Sequence, residues 1–383
     1  MKSLHVFTTF LTPNSFFDGQ FGFLTDNGEE IIVVSSYSDD ALSFAERNNI
    51  RFISVDIPRS PSLSLIWKSI QSVKSIIKKE SPDVVFGHTP IGALVALVAA
   101  KLNGVSKRVY FRHGLLYPTM HGVKRFIFKE EERFVSSLAT SIINVSFSLN
   151  KFAISEGLNK SDKQFVLGHG TCGGIDTQTL FNPVILNKNQ LYRIKKNLGL
   201  DNIDVIFGYC GRLCVDKGIV ELVDAYELFK QKHLKVTTKL LLIGTMDDRE
   251  GLPDRTMNII KVSDDIIITG WLNKKDLPYY YFLLDCFVFP SYREGFGMSV
   301  IEASAMEVPV LCARSLGCED AIQDGETGFY IKVDADDICK GMERVLDSGL
   351  RQILGSNGRR WVQERFDYKI MWPTILKFYQ DLQ

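Results

Sequence analysis

The chain has 383 residues, 45% of them apolar, which is enough to form two α/β domains of ordinary size. Its 45 Lys and Arg balance 45 Asp and Glu, so no overall attraction to nucleic acid is implied. Seven scattered cysteines without a Cys-x-x-Cys pair argue against a disulfide framework or a zinc site, and are typical of reduced thiols in a cytosolic protein.

The first half of the chain alternates predicted strands with helical patterns. The strands are predicted at residues 4–10, 30–35, 52–55, 84–88, 108–112 and 141–146. Helical patterns lie between several of them, for example at residues 63–79 and 90–102. This alternation predicts a parallel, doubly wound sheet. The apolar run at the start is too short for a signal peptide, and we interpret it as the first strand.

The second half repeats this organisation after a strand-like stretch near residue 165 and a polar linker at residues 182–202. Its strands are predicted at residues 205–210, 239–243, 266–269, 286–289 and 310–313. We therefore expect two domains, at residues 1–183 and 184–365. The end of the chain, residues 361–383, is predicted to be helical with a break at Pro373.

One turn in the second half carries two cations. The buried strand at 205–210 leads into Gly-Arg-Leu-Cys-Val-Asp-Lys-Gly, with Arg212 and Lys217 between two glycines, and then into a helical pattern. Arg offers a planar fork for phosphate oxygens and Lys a compact charge, so the pair suits a diphosphate leaving group that gains negative charge. An ordinary surface Arg and Lys beside a turn remain an alternative. No GxxxxGK[ST] phosphate loop is present.

A second motif follows the strand at 286–289 and reads PSYREGFGMSVIEASAMEVP. Glu294 lies in a glycine-broken loop, and Glu302 lies eight residues further on, in a helix predicted to begin near Met298. The glycines permit close backbone approach, and the helix would aim free N–H groups at the same place. This combination suits a sugar–diphosphate–nucleoside ligand, with hydroxyls on the carboxylates and diphosphate on the amides. The alternative is one Glu that caps a loop and another on a wet helix face.

Together the two motifs resemble those of the retaining GT-B glycosyltransferases of family 4, which show a G-R-x(4)-K-G turn and a Glu-x(7)-Glu element. The resemblance covers nearly the whole chain, since the segments RVYFRHGLLYP and VLGHGTCGGIDTQTLFNP are similar to the bacterial subset that builds capsules, O-antigens and lipid-linked glycans. It implies the α/β GT-B fold, with two doubly wound Rossmann-like domains facing across a cleft. It also implies that the C-terminal helix, about residues 366–383, crosses back to the first domain.

The resemblance also implies roles for individual residues. Arg212 and Lys217 would hold the diphosphate, Glu302 the ribose, and Glu294 the donor sugar, while His113 would face the reacting sugar. The family often has Gly-Gly in the amino-terminal loop, where this chain has Asp18-Gly19-Gln20. The implied catalytic residues are His113, Arg212, Lys217 and Glu294. The implied donor-binding residues are Gly19, Gly211, Arg212, Lys217, Glu294, Gly295, Phe296, Gly297, Met298 and Glu302.

The implied activity is transfer of a sugar from a nucleotide diphosphate sugar, with UDP favoured, to a hydroxyl of a glycan acceptor that is lipid-linked. The anomeric configuration is retained without a protein nucleophile. Alternatives are a GDP-sugar transferase, a phosphorylase or epimerase of the same architecture, and a degenerate, non-catalytic partner subunit. No cofactor and no obligatory metal are expected, because the Asp334-Ala335-Asp336 sequence precedes a helical pattern and is better explained as a helix cap.

Basic residues are concentrated in one part of the first half. Residues 47–133 contain 15 Lys and Arg against 6 Asp and Glu. Such a region suits an anionic membrane surface or a polyprenyl-diphosphate acceptor, although ordinary helix surface has the same pattern. The most apolar stretch, residues 91–100, is about half as long as a membrane-spanning helix. We therefore expect a cytoplasmic protein whose membrane contact, if it exists, is peripheral.

Overall fold

The computed structural model describes residues 1–60, 62–247 and 251–382, which form two compact units. The first unit comprises Met1–Gly174 together with the C-terminal residues from Tyr368, and the second comprises Ile175–Asp367. The division thus falls after Gly174, rather than at the expected boundary of 183/184. The Ile175 amide donates to the Phe366 carbonyl at 2.8 Å, and Phe181 is fully buried, so these residues belong to the second unit. Residue 383, the end of the predicted terminal helix, lies outside the described residues.

The described residues form two sheets whose paired strands are all parallel. The first unit has a seven-stranded sheet of order β3-β2-β1-β4-β5-β6-β7, and the second a six-stranded sheet of order β10-β9-β8-β11-β12-β13. The strands are β1 Lys2–Val6, β2 Glu30–Ser35, β3 Arg51–Ser54, β4 Val84–His88, β5 Lys107–Arg112, β6 Ser141–Asn144, β7 Gln164–Phe165, β8 Val205–Cys210, β9 Thr238–Ile243, β10 Ile266–Gly270, β11 Cys286–Phe289, β12 Val310–Ala313 and β13 Gly328–Ile331.

Helices connect the strands within both units, as expected for doubly wound sheets. They are α1 Leu11–Phe16, α2 Gln20–Asp26, α3 Ala41–Arg47, α4 Leu63–Glu80, α5 Pro90–Leu102, α6 Gly122–Leu138, α7 Phe147–Ser155, α8 Lys188–Asn197, α9 Ile219–Lys232, α10 Asp254–Val262, α11 Leu277–Phe282, α12 Met298–Ala305, α13 Ala335–Arg344, α14 Ser348–Arg365 and α15 Tyr368–Asp381. Short 3₁₀ turns lie at Ser161–Lys163, Pro183–Ile185 and Val215–Lys217.

Buried apolar strands form the cores of both units. The four residues that end β1 and all of β4 are buried, as are the first five of β8 and all of β11. Helix α5 packs beside β4 because it carries small residues on the side facing the sheet: a Cβ at Gly87 of β4 would lie 2.7 Å from the Ala93 Cα. Continuous apolar strands buried on both faces are typical of parallel sheets.

A fully buried arginine ties β5 to its neighbours in the first unit. Arg112 Nε donates to Glu132 Oε1 of α6 at 2.8 Å, and its terminal nitrogens donate to the side chains of Ser136, Asn144 and Gln164 at 2.6 to 3.0 Å. Arg112 is 0% exposed and Glu132 is 7% exposed. Each guanidinium nitrogen therefore has a partner, which is the condition under which a buried charge is tolerated.

The structure differs from the sequence expectations at three elements. Strand β13 was not predicted, and helix α8 lies within the segment that was interpreted as a polar linker. The terminal helix breaks at Phe366–Asp367, and Pro373 lies inside α15. The break arises because Asp367 is used in tertiary contacts, with its carboxylate accepting a hydrogen bond from the Thr177 amide at 3.3 Å. By contrast, Asp334 caps α13, since its carboxylate accepts from the Asp337 amide at 2.8 Å.

A search of the helices in the described residues finds none that combines the length and apolar character needed to cross a bilayer.

Candidate active site

The strand order of the second unit brings three loops together. Strand β8 lies between β9 and β11, so the turns that follow these three strands share the carboxyl edge of the sheet. This is the edge where open α/β sheets bind ligands. Arg212 and Lys217 follow β8, Asp247 follows β9, and Glu294 follows β11. The two motifs that are distant in sequence therefore meet in space.

Lys217 is held at the end of its 3₁₀ turn and pairs with Glu294. The ammonium lies 2.6 Å from Glu294 Oε1 and also donates to the Arg293 carbonyl at 3.2 Å. Gly218, which follows, has a φ of +70°, and a Cβ there would lie 2.1 Å from the Pro290 carbonyl oxygen. Only glycine lets the turn approach the loop this closely. The exposed fractions of the two side chains are 11% for Lys217 and 20% for Glu294, so solvent reaches both.

Glu294 is fixed from two further directions. Its Oε1 accepts a hydrogen bond from the Ser291 hydroxyl at 2.9 Å, and its own amide donates to the Leu316 carbonyl at 2.8 Å. A Cβ at Gly317 would lie 2.3 Å from the Glu294 carbonyl oxygen, so this neighbouring loop also depends on glycine. Asp216 adds a second ion pair between the same two loops, at 3.0 Å from Arg293. The carboxylate of Glu294 is thus positioned before any ligand arrives.

Arg212 is the most open of the predicted residues. Its side chain is 58% exposed and forms an ion pair with Asp247, whose side chain is 10% exposed. The Arg212 carbonyl accepts a hydrogen bond from Tyr209, and the amide of Gly211 donates to Ile243 at 2.9 Å. The backbone of the turn is therefore fixed while the guanidinium faces solvent. A phosphate group can bind the exposed part of the Arg212 guanidinium.

Glu302 lies in α12 and has a tyrosine partner. The Tyr281 hydroxyl, from α11, donates to Glu302 Oε2 at 2.9 Å. Burial raises the pKa of Glu302 above its ordinary value, while the Lys274 charge and the Tyr281 hydrogen bond act in the opposite direction. Burial also raises the pKa of the adjacent Cys210 thiol to about 12, so that thiol stays protonated. The Tyr281 hydrogen bond and the Lys274 charge favour the charged carboxylate of Glu302, which is the form that accepts hydrogen bonds from hydroxyl groups.

The backbone amides at the start of α12 are less free than the sequence suggested. The Gly297 amide donates to the Gly317 carbonyl at 3.2 Å, and the Met298 amide donates to the Phe296 carbonyl at 2.6 Å. Phe296 is itself buried and packs against Phe366 at a ring distance of 5.2 Å. Two of the amides expected to hold a diphosphate already have protein partners, because the glycine-rich loop folds back on itself. Gly295 lies between them and Glu294.

The first unit contains the other two predicted residues. Gly19 precedes α2 with a φ of +78°, and its amide donates to Asn48 Oδ1 at 2.8 Å. The amide expected to face a donor is therefore occupied by a side chain of the same unit. His113 follows β5 and is only partly buried, yet both of its ring nitrogens have protein partners: His88 Nδ1 at 3.0 Å and Cys172 Sγ at 3.3 Å.

Several residues of the site were missed from the sequence. They are the partners that hold the predicted ones, namely Asp216, Asp247, Tyr281, Ser291 and Arg293. Each lies in a turn after a strand or in a neighbouring helix, so only its position relative to the predicted strands and helices could have indicated it. Pro290-Ser291 directly follows β11, and Asp247 comes four residues after the end of β9. Their relevance emerges only once the strand order is known.

Within residues 1–60, 62–247 and 251–382, no group of three or more His, Cys, Asp or Glu side chains is arranged to hold a metal ion. The expectation that no metal is required stays a prediction.

Two doubly wound parallel sheets, with this cluster at the carboxyl edge of the second, agree with the expected GT-B fold. The amino-acid pattern of the family "Glycosyl transferases group 1" matches residues 192–361, and that of "Glycosyl transferase 4-like" matches residues 12–146. The chain is 31% identical over 363 residues to the capsular polysaccharide biosynthesis glycosyltransferase CapM of Staphylococcus aureus, covering 94% of this chain and 92% of that protein. This identity and coverage show that the chain belongs to the same glycosyltransferase family as the S. aureus protein, and it is a hexosyltransferase.

Two further similarities extend along the whole chain. The UDP-Gal:alpha-D-GlcNAc-diphosphoundecaprenol alpha-1,3-galactosyltransferase of Escherichia coli is 24% identical, with 95% of this chain and 92% of that protein covered. The crystal structure of Anabaena Alr3699/HepE in complex with UDP and glucose superposes with a TM-score of 0.79 at 18% identity, covering 100% of both chains. The structural match bears out the predicted fold.

Proposed function

We propose that this enzyme transfers a hexose or an N-acetylhexosamine from a UDP-sugar to a hydroxyl of a lipid-linked glycan, with retention of anomeric configuration, in bacterial surface polysaccharide synthesis. The observation that carries the proposal is the cluster at the carboxyl edge of the second sheet. There, Lys217 is paired with Glu294 at 2.6 Å, beside the exposed Arg212. Cations and carboxylates that are placed in advance, but still reached by solvent, suit a ligand with both phosphate and hydroxyl groups.

The comparisons support the choice of donor and acceptor. The S. aureus relative is a capsular polysaccharide enzyme, the E. coli relative uses UDP-galactose and a diphosphoundecaprenol-linked acceptor, and the Anabaena structure holds UDP and glucose. GDP-sugars remain the rival donors. Binding measurements with UDP, GDP and their sugars distinguish the two donor classes.

The proposed reaction breaks the bond between the anomeric carbon and the β-phosphate oxygen, and it forms a bond from the same face to the acceptor oxygen. The acceptor hydroxyl passes its proton to the departing phosphate oxygen, so no protein nucleophile is consumed. Arg212 and Lys217 stabilise the charge that grows on the diphosphate. Glu302 holds the ribose and Glu294 the sugar hydroxyls, which orients the donor. The role that the family resemblance implies for His113 stays a prediction.

The first experiment measures nucleotide binding by thermal shift and calorimetry. UDP, GDP, ADP and their sugars are compared for the wild type and for Glu302→Ala and Arg212→Ala. We expect stabilisation by UDP and its sugars alone, and its loss in both variants. Matched controls are Glu326→Ala and Arg59→Ala, which replace exposed residues that are not part of this cluster. Stabilisation by GDP instead of UDP, or by no nucleotide, would contradict the proposed donor.

A second experiment tests retention. The product formed from an α-linked UDP-sugar is examined by proton NMR, in which the coupling of the anomeric proton distinguishes α from β linkages. We expect an α-linked product. A β-linked product would show inversion and would require a general base that the proposal does not contain.

Peripheral membrane contact belongs to the same proposal, because a lipid-linked acceptor lies at a bilayer surface. Helix α6 supports it: Val123, Phe126 and Ile127 are 75%, 62% and 56% exposed beside the exposed Lys124. Exposed apolar side chains mixed with cations are typical of helices that lie on anionic membranes. Helix α4 also lies in the basic region; its apolar residues at positions 66, 70, 73 and 77 are buried, whereas Leu63, Leu65 and Trp67 are exposed.

Sedimentation with lipid vesicles tests this contact. We expect the protein to bind phosphatidylglycerol vesicles more strongly than phosphatidylcholine vesicles, and Phe126→Ser/Ile127→Ser to reduce the binding. The control is Val184→Ser/Ile185→Ser, which removes two exposed apolar residues from the second unit. Equal binding by the wild type and the α6 variant would contradict membrane contact through this helix.

A further inference from the structure

A continuous chain of hydrogen bonds runs through five side chains of the first unit. The Tyr379 hydroxyl lies 3.0 Å from His5 Nε2, and His5 Nδ1 lies 3.0 Å from His88 Nε2. His88 Nδ1 lies 3.0 Å from His113 Nε2, and His113 Nδ1 lies 3.3 Å from Cys172 Sγ. His5 belongs to β1, His88 belongs to β4 and His113 directly follows β5, and these three strands are neighbours in the sheet. This adjacency explains why three imidazoles stand in a row.

The chain is enclosed and electrically neutral. Tyr379, His5, His88 and Cys172 are all less than 9% exposed, and the His5 ring stacks on Phe86 at 4.3 Å. Burial lowers the pKa of His5 and of His113 to about 3, and lowers that of His88 well below its usual range. It raises the pKa of the Cys172 thiol to about 12 and that of Tyr379 well above its ordinary value. All five groups are therefore uncharged at neutral pH.

Neutral imidazoles impose a direction on such a chain. Each has one N–H donor and one acceptor nitrogen, so fixing the tautomer of one ring fixes that of the next. Only two arrangements satisfy the four junctions. In one, Tyr379 donates to His5, every histidine carries its proton on Nδ1, and the last donor, His113, donates to Cys172 Sγ. In the other, Cys172 donates and every histidine carries its proton on Nε2.

The two ends decide between the arrangements. In the part of the chain that the structure describes, the Tyr379 hydroxyl has one hydrogen-bond partner, His5 Nε2. Ser3 Oγ lies 3.3 Å from the same nitrogen and can also donate to it. A buried hydroxyl that loses its acceptor is penalised strongly, whereas a thiol is a weak donor and loses little. The first arrangement is therefore favoured.

We propose that Tyr379, His5 and His88 are positioning residues that hold His113 with its proton on Nδ1, where it serves as a hydrogen-bond donor and not as a base. The present acceptor of that proton is Cys172 Sγ, and sulfur accepts weakly. A hydroxyl or phosphate oxygen of a ligand is a stronger acceptor and can replace it. The structural part concerns the first unit alone, while the catalytic part rests on the proposed function.

The structural part is tested by nitrogen-15 NMR of histidine side chains in the free, full-length protein. We expect all three buried histidines to show a pyrrole-type Nδ1 and a pyridine-type Nε2, the opposite of the tautomer preferred by free histidine in water. The double variant Tyr379→Phe/Ser3→Ala keeps the ring stack on Phe86, at 5.1 Å, but removes both hydroxyl groups that can donate to His5 Nε2. It should reverse the pattern at His113. A pyrrole-type Nε2 on His113 of the wild type would overturn the proposal.

Two further variants keep this test independent of folding. Tyr37→Phe removes an exposed hydroxyl and should leave the spectrum unchanged. Cys172→Ala removes only the weak acceptor and should leave the tautomers as they are. A reversal at His113 in Cys172→Ala would show that the thiol, rather than Tyr379, sets the direction, and would contradict the assignment.

The catalytic part is tested by steady-state kinetics with the donor that the wild type uses. We expect Tyr379→Phe/Ser3→Ala to lower kcat about tenfold, the effect of losing one well-placed hydrogen bond in the transition state, with UDP affinity unchanged. An unchanged kcat together with a reversed tautomer would overturn the positioning role. If no UDP-sugar binds the wild type, the proposed function has failed, and the NMR result still decides the hydrogen-bond chain.

Discussion

The two units treat their buried polar groups differently. The first buries most of them: Arg112 is fully buried with a partner for each nitrogen, and the histidines form a neutral chain in which His113 is partly exposed. The second keeps charges near solvent, with Arg212 58% exposed and Lys217 11% exposed beside Glu294. Buried hydrogen-bond networks stabilise a fold, whereas ion pairs that solvent reaches can exchange a protein partner for a ligand. We therefore assign the buried polar groups of the first unit to stability and the ion pairs of the second unit to ligand binding.

The largest effect on stability is expected from Arg112→Met. The substitution leaves Glu132 buried without its cation, so the free energy of unfolding should fall by about 3–5 kcal/mol. Urea unfolding followed by circular dichroism measures it, with the exposed Arg59→Met as control. A loss below about 1 kcal/mol would mean that the network relaxes around the substitution, and the proposed contrast between the units would not hold.

Lys217→Ala should show the opposite effects to Arg112→Met, with a large loss of activity and a small loss of stability. Loss of a cation that stabilises the leaving group lowers kcat by roughly 100-fold to 1,000-fold, whereas loss of a half-open ion pair changes the free energy of unfolding by about 1 kcal/mol or less. Initial rates with UDP-sugar and urea unfolding give the two numbers. The exposed Lys235→Ala is the matched control. A strongly destabilised but active variant would show that Lys217 supports the fold rather than the reaction.

The sequence predicted both sheets because their inner strands are continuous apolar runs. The predicted bounds of β2, β4, β8, β11 and β12 are those observed. Strand β13 was not predicted, although β11 and β12 are equally short, and the terminal break was misplaced because Asp367 contacts Thr177, which is 190 residues away in sequence. Propensity placed the break at Pro373, and tertiary contacts decided it.

The site was predictable in part for the same reason. Arg212, Lys217, Glu294 and Glu302 could be chosen from local motifs, and the structure brings the loops that carry the first three together. Their partners could not be chosen, because the order of strands is not written in any local pattern. The histidine chain was equally hidden: His5 and His88 are isolated residues of buried strands, and they become a unit only when β1, β4 and β5 are placed side by side.

The enclosed histidines predict a dependence of stability on pH. The folded-state pKa of His5 is about 3, against an ordinary 6.5, so the unfolded state binds more protons between these values and stability rises with pH there. Above pH 6.5, His5 does not reduce the free energy of unfolding, and the reduction grows progressively as the pH falls towards 3. At pH 5, His5 alone lowers the free energy of unfolding by about 2 kcal/mol relative to its value above pH 6.5.

Urea unfolding between pH 5 and 7 measures this dependence in a window above the range in which most carboxylates titrate. The Glu80 carboxylate, whose pKa is lowered to about 2 by its hydrogen bonds with Arg51, contributes only below that window. His5→Gln should flatten the dependence, whereas the exposed His121→Asn should leave it unchanged. A stability that does not vary between pH 5 and 7 would mean that the buried chain takes up protons as readily as the unfolded protein.

The smallest effect is expected from Tyr281→Phe in the second unit. The change removes the hydrogen bond to Glu302 Oε2 and raises the pKa of that carboxylate further, because the Tyr281 hydroxyl stabilises its charged form. UDP affinity should fall about tenfold, which corresponds to one charge-assisted hydrogen bond that orients the acceptor for the ribose. Calorimetric titration with UDP measures it, with Tyr280→Phe on the same helix as control. If affinity is unchanged while stability falls, Glu302 resembles Arg112, an enclosed group that holds the fold, and the contrast between the units narrows to the Lys217–Glu294 pair and Arg212.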